Sequence, residues 1–212
     1  HHTTFAYETH HKRLAGTQGR DLVVIDSDSN RTVVAHDDNE PVSFGASNVH
    51  RNEFGISKGI FWSPQGNAVA FYRMDESRVT DYPLVDISAR TAALKATKYP
   101  MAGMASHEVK VGVCHLASGD TVYLRTPGEK DQYLTNIAWS PDESCIYLQR
   151  LNRAQDTSRL EAYDATTGRL LRTLFTETSE KYVEPQHPII FLPGHDDRFV
   201  LLSRRDGHHH SY

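Results

Sequence analysis

Apolar residues in this chain alternate with polar ones over short runs, and no window carries an apolar stripe at helical spacing for a dozen residues. The runs are strand-length, and they recur. Gly59-Ile60-Phe61-Trp62-Ser63-Pro64, a polar turn and Ala68-Val69-Ala70-Phe71-Tyr72 are echoed by Thr135-Asn136-Ile137-Ala138-Trp139-Ser140-Pro141, a polar turn and Cys145-Ile146-Tyr147-Leu148. A degenerate third copy runs through Ile189-Ile190-Phe191-Leu192-Pro193 to Phe199-Val200-Leu201-Leu202, and a weaker fragment, Phe5-Ala6-Tyr7 with Asp21-Leu22-Val23-Val24-Ile25-Asp26, precedes them all. In each copy a strand ends at proline, which removes a ladder donor. A polar turn then reverses the chain into a second alternating strand. Further strands follow, Val109 to Leu116 and Thr121 to Leu124 around one turn, Arg159 to Asp164 and Arg169 to Leu174 around another. Four short antiparallel strands per repeat predict an all-β fold, a partial β-propeller in which residues 1–212 hold about three to four blades.

The spacing of the repeats is uneven. The 77 residues from Trp62 to Trp139 exceed the 52 from Trp139 to Phe191, and a plain blade takes roughly 40–50. An insertion is therefore predicted between Arg73 and Glu108, where the pattern breaks into Met74-Asp75-Glu76-Ser77 and Tyr99-Pro100-Met101-Ala102-Gly103. Long excursions from an economical repeat tend to carry function. The last repeat stops in mid-blade, which predicts an unpaired strand edge open to self-association, for instance as a homodimer.

Composition narrows the function classes. The chain is 38% hydrophobic and 24% charged, ordinary for a folded protein. A net charge of -4 without any basic block speaks against nucleic acid as a partner. No apolar run approaches the roughly 20 residues that span a bilayer, and the opening His1-His2-Thr3-Thr4-Phe5 is not a secretory signal. The 13 histidines fall in doublets and triplets, such as His208-His209-His210, not at zinc-site spacing, so neither a metal nor a cofactor is expected. Cys114 and Cys145 sit in apolar runs and read as buried free thiols, with a disulfide left open because its geometry is not written in sequence. Trp62 and Trp139 hold equivalent repeat positions and read as core packing. Asp75-Glu76 reads as a solvated turn or a structural salt bridge rather than a substrate contact. Gly55-Ile56-Ser57-Lys58-Gly59 fits the nucleophile-elbow pattern, but that device needs a helix after the serine, and strand-like Ile60-Phe61-Trp62 follows instead.

Longer strings carry a resemblance. Asn52-Glu53-Phe54-Gly55-Ile56-Ser57-Lys58-Gly59-Ile60-Phe61-Trp62-Ser63-Pro64, Ala70-Phe71-Tyr72-Arg73-Met74-Asp75-Glu76-Ser77, Tyr99-Pro100-Met101-Ala102-Gly103, Arg150-Leu151-Asn152-Arg153-Ala154-Gln155 and Ser203-Arg204-Arg205-Asp206-Gly207 stand in one order. In that order they resemble the N-terminal propeller of the dipeptidyl peptidase IV family of serine exopeptidases. Within the family the likeness is greatest to bacterial prolyl tripeptidyl peptidases. The resemblance implies an eight-bladed propeller joined to a C-terminal α/β-hydrolase domain with a Ser-Asp-His triad. That domain would lie beyond Tyr212, leaving residues 1–212 without catalytic residues and inactive alone. It also implies removal of di- or tripeptides from peptide N-termini, usually after proline, in a periplasmic or cell-surface enzyme. In the family, acidic side chains on a loop before a Trp-Ser-Pro strand hold the substrate's free α-amino group. The matching stretch is His50-Arg51-Asn52-Glu53-Phe54-Gly55, so Glu53 is the expected anchor, with Asn52 and Arg153 as further candidates to face the substrate cavity. The chemistry suits an exopeptidase, which counts residues from a charged amine that a partly desolvated carboxylate can grip. The dipeptidyl enzymes carry two adjacent glutamates here; the single carboxylate of Asn52-Glu53 leaves dipeptide and tripeptide release both open. The alternative is a non-enzymatic TolB-like propeller serving as a protein-binding scaffold, which accounts for neither the insertion nor the Asn-Glu-Phe-Gly string.

Overall fold

A computed structural model describes residues 4–46, 49–88 and 90–212, without the side chains of Arg51 and Asn52. Four strands, β1 (Phe5–Glu8), β2 (Arg13–Gln18), β3 (Asp21–Ile25) and β4 (Arg31–Ala35), form an antiparallel meander. The fragment ahead of the first clear repeat is thus a complete sheet. The second sheet is assembled from β5 (Val42–Phe44), β6 (Ile60–Trp62) and β7 (Ala68–Asp75). A detached hairpin, β8 (Asp81–Asp86) with β9 (Ala93–Lys98), intervenes before β10 (Glu108–His115) and β11 (Asp120–Tyr123) complete that sheet. The third is the meander β12 (Tyr133–Trp139), β13 (Cys145–Leu151), β14 (Thr157–Asp164) and β15 (Leu170–Thr178). Two short ladders, β16 (Ile190–Phe191) with β17 (Phe199–Val200) and β18 (Leu202–Ser203) with β19 (His210–Ser211), form part of a fourth unit. The sole helical element among the described residues is a 3-10 turn, Val49–Asn52. This is the all-β partial propeller that the repeats predict.

Burial grades across the strands of the third blade. β12 and β13 are almost wholly buried, whereas β15 is mostly exposed, so the first strand of that blade lies inside and its last at the rim. The core lies between sheets: Phe44, Phe71 and Val24 between the first and second, Tyr72, Leu134 and Tyr163 between the second and third, Tyr147, Leu160 and Ile189 between the third and fourth. The second and third sheets bury both faces, which is why their inner strands read as nearly continuous apolar runs, whereas the first sheet leaves Phe5, Tyr7, Leu14 and Val33 exposed on one face.

The Trp-Ser-Pro repeat is a joint as well as core. Trp62 Nε1 donates to the Ala6 carbonyl at 2.9 Å and Trp139 Nε1 to the Phe61 carbonyl at 3.0 Å, so each indole is stapled to the first strand of the preceding sheet. The serines close the hairpins that follow: Ser63 Oγ accepts from the Ala68 N–H and Ser140 Oγ from the Cys145 N–H, both at 2.9 Å. Phe191, in the degenerate copy, has no indole N–H and packs instead on Tyr147 and Phe199.

The predicted insertion leaves the second sheet after Asp75 and returns at Glu108, its partner in the β7–β10 register. Its ends are tied by Glu76, whose Oε1 lies 3.0 Å from His107 Nε2, and Asp75 sits 3.7 Å from the Arg73 guanidinium. Asp75 Oδ1 also accepts from the Ser77 N–H at 2.9 Å, so the acid pair fits the turn reading as well as the ion-pair one. Cys114 and Cys145 are both free; they belong to different inter-sheet cores. The third sheet hides a charged pair between β13 and β14, where Arg150 donates twice to Glu161, at 2.9 and 2.6 Å, with Tyr163 and Gln132 completing the network.

Candidate functional site

The first strand of the second blade is in two pieces, and the gap between them builds the site. β5 pairs the far end of β7, from Val42 opposite Asp75 to Phe44 opposite Arg73. β6 pairs the near end, from Ile60 opposite Phe71 to Trp62 opposite Val69. Tyr72 bridges the break: its N–H donates to the Gly59 carbonyl at 3.0 Å, and its carbonyl accepts from the Gly45 N–H at 2.8 Å. Residues 45–59 thus loop out of an inner strand and return to the same point. The legs touch, since a Cβ on Gly59 would stand 2.2 Å from the Ala46 carbonyl oxygen. The repeat spacing predicts one excursion in this blade, and the structure has two.

The tip of this loop carries Glu53. Its N–H donates to the His50 carbonyl at 3.1 Å, closing the 3-10 turn, and its carbonyl accepts from the Ile56 N–H at 3.0 Å. Phe54 and Gly55 follow at φ 55° and 72°, both in the left-handed region. Phe54 is buried with Tyr133, Leu151 and Val183. Gly55 lies so close to the strand-linking segment near residue 186 that an added Cβ would fall 2.0 Å from the Gln186 carbonyl oxygen. The backbone on either side of Glu53 is therefore clamped while its side chain is exposed. Gly55→Ala should cost about 1–2 kcal/mol from the positive φ alone, and the clash with Gln186 would displace Glu53. A fall in the thermal midpoint, with a several-fold loss of any activity that depends on Glu53, is the expected result.

Glu53 lines a cavity of about 220 Å³ whose walls come from three separate stretches. The 45–59 loop supplies His50 and Glu53, the insertion supplies Tyr99, Pro100, Ala102, Ser106 and His107, and the third sheet supplies Tyr133, Arg153 and Gln155. Arg153 sits in the turn after β13, where Asn152 Oδ1 accepts from the backbone N–H groups of Asp156 and Thr157 at 3.1 and 3.0 Å. Its guanidinium donates to the Tyr133 hydroxyl, lies 5.7 Å from the centre of that ring, and reaches the Met104 carbonyl at 3.4 Å. The Asp131 carboxylate stands 3.8 Å from its Nε. His50 is enclosed between the rings of His107 and Tyr133, 5.5 and 4.7 Å away between centroids. Burial first, and then the proximity of His107 and Arg153, pushes its pKa down to about 3, so it stays neutral at ordinary pH.

Two of the three expected residues are thus brought together: Glu53 and Arg153 share one cavity. The Asn52 backbone belongs to the 3-10 turn, and its side chain lies outside the described residues. Nothing in the sequence marks His50, His107 and Tyr133 as a group, since single polar residues in or beside strands carry no signal of a shared cavity. Ser57 is exposed and no helix follows it, so the G-x-S-x-G match lacks its required setting. Among the described residues no group of three His, Cys, Asp or Glu side chains is placed to hold a metal ion.

A family model described as the dipeptidyl peptidase IV N-terminal region matches residues 7–212. Among solved structures, a Bacteroides ovatus protein assigned as a dipeptidyl aminopeptidase IV superposes with a TM-score of 0.88 and 47% identity, covering 98% of this chain and 28% of its own. Porphyromonas gingivalis dipeptidyl peptidase 4 superposes with a TM-score of 0.86 at 22% identity, covering 98% of this chain and 30% of its own, a likeness of fold. A Neurospora crassa protein named as dipeptidyl-aminopeptidase B is 24% identical over 224 residues, 92% of this chain and 24% of that protein. The chain spans about a quarter of the length of the curated relatives it matches.

Proposed function

The chain belongs to the dipeptidyl peptidase IV N-terminal-region family, and from that premise we propose that it is the non-catalytic propeller portion of a serine exopeptidase that anchors the substrate's α-amino group on Glu53. In this reading the propeller gates access to a C-terminal α/β-hydrolase domain, which supplies the triad and releases di- or tripeptides, usually after proline. The observation that carries it is that Glu53 is the one carboxylate among the described residues lining the 220 Å³ cavity. An α-ammonium brings three N–H donors, and a carboxylate held by a clamped backbone can take them without reordering a loop.

The named relatives are dipeptidyl enzymes, which favours dipeptide release. The single carboxylate of Asn52-Glu53 favours the tripeptidyl branch. Mass spectrometry of the first product decides between them. A periplasmic or cell-surface location and pairing into a homodimer belong to the same proposal, resting on the family. The direct test offers the full-length protein a peptide with proline near its N-terminus and the N-acetylated form of the same peptide. Acetylation removes the cation, and cleavage should slow about a hundredfold or more. Equal rates on the two peptides would refute the amine anchor.

A further inference from the structure

We infer that Arg153 reads the side chain of the substrate's first residue, so that the cavity favours peptides beginning with an acidic residue over those beginning with a basic one. This deepens the amine-anchor reading and rests on it. Among the described residues, Glu53 and Arg153 are the two charged ones lining the cavity besides its histidines, and His50 is held neutral by burial. The other histidine, His107, has its Nε2 engaged by Glu76 at 3.0 Å. Once an α-ammonium has paired with Glu53, the guanidinium is the charge left to meet whatever lies beside that amine. The α-ammonium belongs to the substrate's first residue, so that residue's side chain is the one that enters the cavity beside the anchor and is inspected.

Arg153 has capacity for a further partner. A guanidinium carries five N–H donors; the Tyr133 hydroxyl and the Met104 carbonyl, the latter at 3.4 Å, each take one. Asp131 reaches Nε only at 3.8 Å, beyond hydrogen-bond range, so it tempers the charge without occupying the fork. The planar fork suits a carboxylate, which it can meet with two parallel bonds. A lysine or arginine side chain in the same place meets a like charge. The Arg153 side chain is 28% exposed, so solvent and salt moderate both effects.

The test uses the full-length protein and three peptides that differ only in a first residue of Glu, Gln or Lys. In the wild type kcat/KM should fall in that order, with a Glu-to-Lys ratio on the order of tenfold at low salt that shrinks as salt is added. Arg153→Gln should bring the ratio to within about twofold of unity while changing the Gln-first peptide least. Arg153→Lys should restore the order, because it restores the charge. A ratio of one in the wild type, or a ratio that survives Arg153→Gln, overturns the inference. Glu53→Gln separates the two readings: it should lower all three peptides by a common factor and leave the ratio intact. If it lowers none of them, the failure belongs to the amine anchor.

Discussion

Replacing Glu53 by glutamine in the full-length protein is expected to lower kcat/KM for free-amine peptides about a hundredfold, with the thermal midpoint unchanged. Glutamine keeps the size of the side chain and removes the charge that turns an ordinary hydrogen bond into a charge-assisted one. The side chain is exposed and its clamps are backbone ones, to His50 and Ile56, so the fold has no stake in the carboxylate. Because the amine is held before and during the chemical step, the loss should be carried largely by KM. The pH profile gives a second signature. A peptide α-amine titrates near about 8, and the anchor needs its protonated form. In the wild type kcat/KM should therefore decline as pH rises through that range, and the variant should lose most of this limb. A Glu53→Gln enzyme with unchanged kcat/KM would remove Glu53 from the site.

The second large effect concerns stability. Glu161 is fully buried and accepts two hydrogen bonds from Arg150 and a third, at 2.6 Å, from the Tyr163 hydroxyl. The carboxylate holds the Arg150 pKa above its ordinary value, and burial pushes the Tyr163 phenol up. Glu161→Gln leaves a buried guanidinium without its countercharge, which costs about 3–5 kcal/mol. Replacing both partners, Arg150→Met with Glu161→Leu, removes the desolvated charges together and should recover most of that loss. Urea unfolding of the wild type, the single variant and the double variant measures both quantities. A single variant within about 0.5 kcal/mol of wild type would mean that the pair is not sealed from water.

Much of the architecture was legible in the repeats. Ser-Pro after Trp62 and Trp139 marks the end of each first strand, because proline cannot donate to the ladder and the serine hydroxyl caps the turn that follows. The insertion was legible from spacing alone, since extra residues lengthen a repeat whatever they do in space. The indole staples were half legible: equivalent positions were visible, but their acceptors, Ala6 and Phe61, lie 56 and 78 residues away. The first meander is less legible because its strands lack the Trp-Ser-Pro punctuation.

What the chain alone determined is therefore the class of fold, the rhythm of its blades and, through resemblance, Glu53 as the residue to watch. Tertiary structure decided the rest. Val42-Ser43-Phe44 and Ile60-Phe61-Trp62 become one interrupted strand only because both pair with β7, with Tyr72 bonding across the gap. Arg150 and Glu161 become partners only when β13 and β14 lie side by side. Glu53 and Arg153 share a cavity only because the 45–59 loop, the insertion and the third sheet converge. Periodicity records which face of a strand is buried, a property of near neighbours along the chain. Which distant residues meet is set by how whole sheets pack, and no local pattern carries that information.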